Sequence, residues 1–177
     1  ETAPGSFQKE DCPVKIITVD IETYSPQNIS EVGLFRYAQD PEFQVLLFGC
    51  ISETAEAPLV LDLTIVPDPK HHLQEHLPWL FDASYTKRAH NAAFEWWCLS
   101  EYMELSWEQR VLWLQQWECS MIHALYCGLP AQLGALGKVL QQPEDALKIL
   151  NAATESYVVH TLHTVPKTLE FYKTFLD

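Results

Sequence analysis

Two carboxylates close an apolar run in Val14-Lys15-Ile16-Ile17-Thr18-Val19-Asp20-Ile21-Glu22-Thr23. In a strand, residues i and i+2 share a face, so Asp20 and Glu22 point the same way. Carboxylates paired beside a core repel one another and lose hydration, and they call for positive charge nearby. Lys15 lies on the same run but is odd-numbered and falls on the opposite face. A divalent cation meets the need, and hard oxygen ligands suit magnesium or manganese. Spacing alone leaves a second reading open, a strand-end pair turned to solvent.

A third carboxylate stands in His90-Asn91-Ala92-Ala93-Phe94-Glu95, after a predicted short strand and at the start of a helical pattern. Asn91 is the expected N-cap, with Glu95 one turn further on. From there Glu95 can meet a carboxylate of the first strand, and Phe94 offers a flat apolar surface. Taken by itself, Glu95 also reads as a charge complementing the helix N-terminus. Other reactive types are less informative. His160-Thr-Leu-His163 has no Cys or acidic residue at ligand spacing and reads as surface histidines. Cys119-Ser120-Met121 has no His or Asp in an obvious partnering position, so packing is expected.

The elements that must hold these groups follow from pattern. Residues 14–20 form a β-branched strand of the kind buried on both faces, broken at Tyr24-Ser25-Pro26. Asn28 or Ser30 caps a short helix through Ala38, weakened by Gly33. A second central strand spans 43–51, and a third, 57–63, returns antiparallel through a turn at 54–56. After Pro67-Asp68-Pro69, helical spacing of Leu73, Leu77, Leu80 and Phe81 gives one apolar stripe. A fourth strand is expected at 85–90, then helices at 92–102, around Trp107, Val111 and Leu114, at 119–126 and at 133–140. The pattern loosens after 141, although 148–157 and 169–176 are compatible with helix. Strands in the first half and helices in the second indicate an α/β layered domain. Residues 1–13 read as a flexible head and 14–177 as the domain.

Composition narrows the class. The chain has 177 residues, 47% of them apolar, enough for one globular core. No apolar run approaches the ~20 residues that span a bilayer, and the first residues lack the apolar centre of a signal peptide. Five cysteines without a C-x-x-C pair, mostly inside apolar stretches, suggest buried free thiols in a reducing, cytoplasmic compartment. Eleven basic against 24 acidic residues leave a net charge of −13, which weighs against autonomous tight binding of nucleic acid. A site of this charge can act on nucleic acid when cations offset its carboxylates and a neighbouring domain supplies the basic surface. Of six tryptophans, Trp96 and Trp97 directly follow Glu95, which places at least one of them near it. Trp79, Trp107, Trp113 and Trp117 read as core, and the acidic stretch 53–62 as a solvated hairpin.

In order along residues 14–140, VDIETYS, GLFRYAQDPEFQVLLFGC, AHNAAFE and WECSMIHALYCGLP resemble successive landmarks of the 3′→5′ exonuclease domain of family A DNA polymerases. The similarity is greatest to the phage and prophage branch, within the DEDD superfamily. The resemblance implies an RNase H-like mixed sheet flanked by helices. It implies that Asp20, Glu22 and Glu95 are catalytic ligands of a pair of Mg2+ or Mn2+ ions, acting by two-metal hydrolysis. It also implies that Asn91 helps hold the terminal nucleotide, with Thr23 and Phe94 beside the substrate. The substrate would be a single-stranded DNA 3′ end, and the partner a linked or associated polymerase domain in a bacterial or phage-infected cell.

The family's third motif, Tyr-x-x-x-Asp, has no match. Tyr172 stands five positions before Asp177, Tyr157 meets Thr161 at that spacing, and neither His160 nor His163 completes the alternative His-x-x-x-x-Asp. Three explanations stand. The sequence stops before the motif, with Phe175 at the tyrosine position; or Asp177 serves as the fourth ligand from a shifted helix; or catalysis is lost and a structural or partner-binding module remains.

Overall fold

A computed structural model describes residues 15–143. The expected head at 1–13, the expected helices after 144, and Tyr157, His160, His163, Tyr172 and Asp177 lie outside the described residues. The elements run β1 (Lys15–Tyr24), α1 (Ile29–Ala38), β2 (Gln44–Ser52), β3 (Leu59–Asp62), α2 (Pro69–His76), a 3-10 turn (Pro78–Phe81), β4 (Tyr85–Ala89), α3 (Ala93–Tyr102), α4 (Trp107–Leu114), β5 (Trp117–Cys119), α5 (Ser120–Tyr126) and α6 (Leu133–Val139).

The sheet has five strands in the order β3-β2-β1-β4-β5. Strand β1 pairs antiparallel with β2 and parallel with β4, and β4 is parallel to β5. The architecture is therefore the expected α/β one, a mixed sheet flanked by helices, compatible with an RNase H-like fold. The apolar run of β1 is explained by its central place. Its odd positions Ile17, Val19 and Ile21 pack with Phe48, Leu73, Leu80, Cys98 and Leu99 in the main core. Its even positions share a face with Leu47 and Ile51, which pack against Leu133.

Three local expectations are corrected, and one, the capping of α1 and its weak point at Gly33, is met. The stripe through Leu73, Leu77, Leu80 and Phe81 is not one helix, because Pro78 ends it. Leu77, the residue before that proline, leaves helical space at φ −124° and ψ 58°. Residues 117–119 are a short parallel strand in register with Lys87–Ala89, too brief to carry a period of its own. Helix α1 is capped by the Asn28 side chain, which accepts from the Ser30 N–H, and it kinks at Gly33, where φ is +78°. Helix α4 exists, but its stripe of Trp107, Val111 and Leu114 is 64%, 39% and 45% exposed, while Trp113 is buried.

Two of the four described cysteines are buried as expected, Cys50 and Cys98; Cys119 is half-buried and Cys127 exposed, and all four are free thiols. Among the described residues no helix is long and apolar enough to cross a membrane.

A reciprocal capping box fixes the start of α4. The Ser106 hydroxyl accepts from the Gln109 N–H, and the Gln109 side chain accepts from the Ser106 N–H. Ser106→Ala is expected to cost about 1 kcal/mol, read as a lower midpoint in urea with an unchanged slope.

Candidate active site

The register of the sheet creates the site. Parallel pairing of β1 with β4 ends at Thr18 and Arg88, whereas β1 continues to Tyr24 against β2 alone. Beyond Thr18, one flank of the central strand thus has no neighbouring strand among the described residues, and there Asp20 and Glu22 sit. The chain leaving β4 turns through His90 and Asn91 into α3, whose first turn carries Glu95. The crevice outside the carboxyl ends of parallel strands is where α/β sheets commonly bind ligands.

Asp20 lies across from Gly49, which places no side chain opposite it. Glu22 lies across from Leu47, and immediately afterwards the register slips so that Thr23 faces Val45. A bulge of this kind re-aims the side chains beside it.

The three carboxyls share one electrostatic environment. Burial raises Asp20 to about 7, and the Ile21 backbone N–H offsets this in part. Burial, then the charge of Asp20, raises Glu22 to about 8. Glu95 is 4% exposed, and burial followed by the Asp20 charge holds it well above the carboxylate range. Among the described residues, no lysine or arginine is among the forces that shift Asp20 and Glu95. Arg88, on the adjacent strand, is bound to Glu118 at 2.9 Å. Lys87 is fully buried and donates to the carbonyls of Asp82 and Tyr85 and to Gln116 Oε1. Among the described residues, the buried Glu95 Oε2 has no hydrogen-bond partner.

This donor set suits a hard divalent cation: all oxygen, mutually repelling, and with one buried oxygen unclaimed. Among the described residues, however, no three His, Cys, Asp or Glu side chains converge into a ready-made metal cage. The carboxyls are near enough to couple but are not closed around a point.

Other residues singled out in the sequence take varied places. Asn91 does not cap α3. It is exposed and left-handed at φ +62°, a conformation asparagine tolerates, and its carbonyl accepts from the Phe94 N–H at 2.7 Å. The cap position falls to Ala92, which makes no side-chain cap bond. Phe94 is half-buried and packs on the core. Thr23 Oγ1 lies 2.9 Å from the hydroxyl of Tyr37, a buried residue of α1. Trp97 belongs to the main core, edge-on to Phe35, and Trp96 Nε1 donates to the Arg110 carbonyl. Both indoles are therefore structural.

Ser120 does have a histidine partner, contrary to expectation, and it lies thirty residues away. His90 Nδ1 is 3.1 Å from Ser120 Oγ, and His90 Nε2 is 2.7 Å from the Ala131 carbonyl. A carbonyl only accepts, so Nε2 carries a proton; the Ser120 hydroxyl lies between Nδ1 and the Ala89 carbonyl, to which it donates at 3.4 Å. Burial lowers the His90 pKa, and the carbonyl draws it partly back. Ser120 is fully buried, so the pair acts as a strut tying the end of β4 to α5 and to the loop at Ala131. No local signal in the sequence joins His90 to Ser120. Tyr37 was missed as well, although it stands inside the GLFRYAQDPEF landmark.

A cleft of about 600 Å³ lined by Lys15, Cys50, Trp79 and Tyr85 lies at the other end of β1 and includes none of the three carboxylates.

A DNA polymerase of Bacillus phage SP02 is 30% identical to this chain over 128 residues. The chain is similar to part of a phage DNA polymerase. The matched stretch covers 72% of the chain but only 18% of the phage protein. No protein-family profile matches the chain. The similarity supports a polymerase-related domain of α/β architecture.

Proposed function

We propose that this chain is a metal-dependent 3′→5′ exonuclease domain of the proofreading type, hydrolysing DNA phosphodiester bonds from the 3′ end as part of a DNA polymerase. The observation that carries the reading is the placement of Asp20, Glu22 and Glu95 beyond the carboxyl end of β4, all three desolvated and electrostatically coupled to one another. The similarity to a phage DNA polymerase supports the same direction.

Asp20 and Glu22 would hold two Mg2+ or Mn2+ ions from the strand side, and Glu95 from α3 through its unclaimed Oε2. Bound cations supply the charge that polarises a phosphate and acidifies water. The protein contributes placement: the far end of the central strand for two ligands and a helix start for the third. Asn91, exposed ahead of Glu95, has an amide available to a terminal nucleotide, and Phe94 presents an apolar ring beside it. Asp177 is the candidate for a fourth ligand. With a net charge of −13, the basic surface that follows a DNA strand would come from the linked polymerase.

A second reading is a catalytically inactive module of the same fold. It draws on the unmatched third motif and on the lack of a closed three-residue cage among the described residues.

Calorimetric titration of Mn2+ into the 177-residue chain and into its Asp20→Ala variant separates the two. Micromolar binding lost in the variant, with 3′ shortening of 5′-labelled single-stranded DNA, is the expected result. No binding at millimolar Mn2+ refutes the catalytic reading and leaves the module.

A further inference from the structure

The two segments that carry the carboxylates are joined by one residue that is neither acidic nor near them in sequence. Tyr37, in the last turn of α1, is 8% exposed, and its hydroxyl lies 2.9 Å from Thr23 Oγ1. Thr23 directly follows Glu22, at the point where the pairing of β1 with β2 slips. The same Tyr37 ring lies 6.5 Å from that of Phe94, tilted by 39°, and Phe94 directly precedes Glu95. The ring also stands edge-on to Phe43 at 5.7 Å.

We propose that Tyr37 is a positioning residue for the carboxylate site, its hydroxyl fixing the Glu22 end of β1 and its ring fixing the start of α3. The inference deepens the exonuclease reading and rests on it for its link to metal binding. The physical case is one of missing restraints. Past Thr18, strand β1 has lost the parallel neighbour that would hold its far edge, and the slip at Glu22 and Thr23 interrupts the ladder on the other edge. A strand end held on one side through an irregular ladder needs a side-chain tie to keep its carboxylate aimed. The hydroxyl bond to Thr23 supplies one, and the ring contact transmits the same restraint to the turn before Glu95. Groups that orient metal ligands from behind in this way typically change metal affinity or activity by about 10–100-fold when removed.

The test compares Tyr37→Phe, which deletes only the hydroxyl, with Thr23→Val and Thr23→Ser in the full chain. Two readouts are used: the Mn2+ affinity by calorimetry, and hydrogen exchange of the backbone amides at the end of β1. Tyr37→Phe and Thr23→Val are expected to weaken Mn2+ binding at least tenfold and to speed exchange at residues 22–24, with the thermal midpoint little changed. Thr23→Ser keeps a hydroxyl and is expected to retain the parental behaviour. The double variant Tyr37→Phe, Thr23→Val should be no worse than the weaker single, since both remove one bond. Parental Mn2+ affinity and parental exchange in Tyr37→Phe would overturn the proposal. A parent chain that binds no Mn2+ defeats the exonuclease reading instead. The exchange measurement still decides the restraint in that case, faster exchange supporting it and unchanged exchange overturning it.

Discussion

Asp20→Asn is expected to make the metal-free chain more stable at pH 8, by roughly 2–4 kcal/mol, and to abolish its Mn2+ binding. The sign follows from the direction of the shifts. In the unfolded chain Asp20 and Glu22 titrate near 3.8 and 4.5, and in the folded chain at about 7 and about 8. Between those limits the folded state holds more protons than the unfolded one, so stability falls as pH rises. The contribution is fully present below pH 4 and is lost as pH climbs through 7 and 8. His90, whose folded pKa is lowered, works in the opposite sense near pH 6.5. The difference between parent and variant cancels that histidine and reports Asp20 together with its coupling to Glu22 and Glu95.

Urea unfolding at pH 5, 6.5 and 8 is the measurement, with and without Mn2+. The parent should lose stability toward pH 8 and regain it with the cation, by mass action on the folded state. Asn at position 20 should lessen the first trend, leaving the part due to the buried Glu22 and Glu95, and remove the second. A variant that tracks the parent at every pH would mean that Asp20 is well solvated and that the three carboxyls are not a desolvated cluster. Stabilisation joined to loss of ligand binding is what distinguishes a site from a structural feature: removing an interaction that merely holds the fold lowers stability.

How far the sequence disclosed this arrangement depends on the range of the interaction. The β1 run, the acidic pair on one face and the carboxylate one turn into α3 were legible because each is a local pattern with a period of its own. Strand β5 was not, since three residues carry no period and its partner Lys87–Ala89 lies thirty residues away. The His90–Ser120 strut and the Tyr37–Thr23 bond are contacts between separate elements, and neither residue type nor spacing points from one end to the other. Asn91 was misjudged for a subtler reason. Asparagine favours both the N-cap and the left-handed region, and the turn out of β4 called for the second.

Helix α4 turns a similar ambiguity into a quantitative expectation. Trp107 and Trp113 both fit a helical apolar pattern, yet they should differ by several kcal/mol when truncated. Trp113 is 3% exposed, lies 5.1 Å from Phe81 and 5.2 Å from Trp117, and donates its indole N–H to the Leu80 carbonyl at 2.8 Å. It therefore joins α4 to the 3-10 turn and to β5. Trp113→Ala removes a buried aromatic, worth about 3–5 kcal/mol with its cavity, and leaves the Leu80 carbonyl without that donor, about 1 kcal/mol more. Trp107 is 64% exposed, and Trp107→Ala should stay within about 0.5 kcal/mol. Chemical denaturation of the two variants checks both values. Equal losses would mean that the face of α4 carrying Trp107, Val111 and Leu114 is covered in the intact chain. A small loss at Trp113 would mean that β5 and the 3-10 turn do not depend on α4. The expected outcome, a large loss at one tryptophan and almost none at the other, would show that α4 is held through Trp113 to the 3-10 turn before β4 and to the start of β5, at the opposite end of these strands from Asp20 and Glu22.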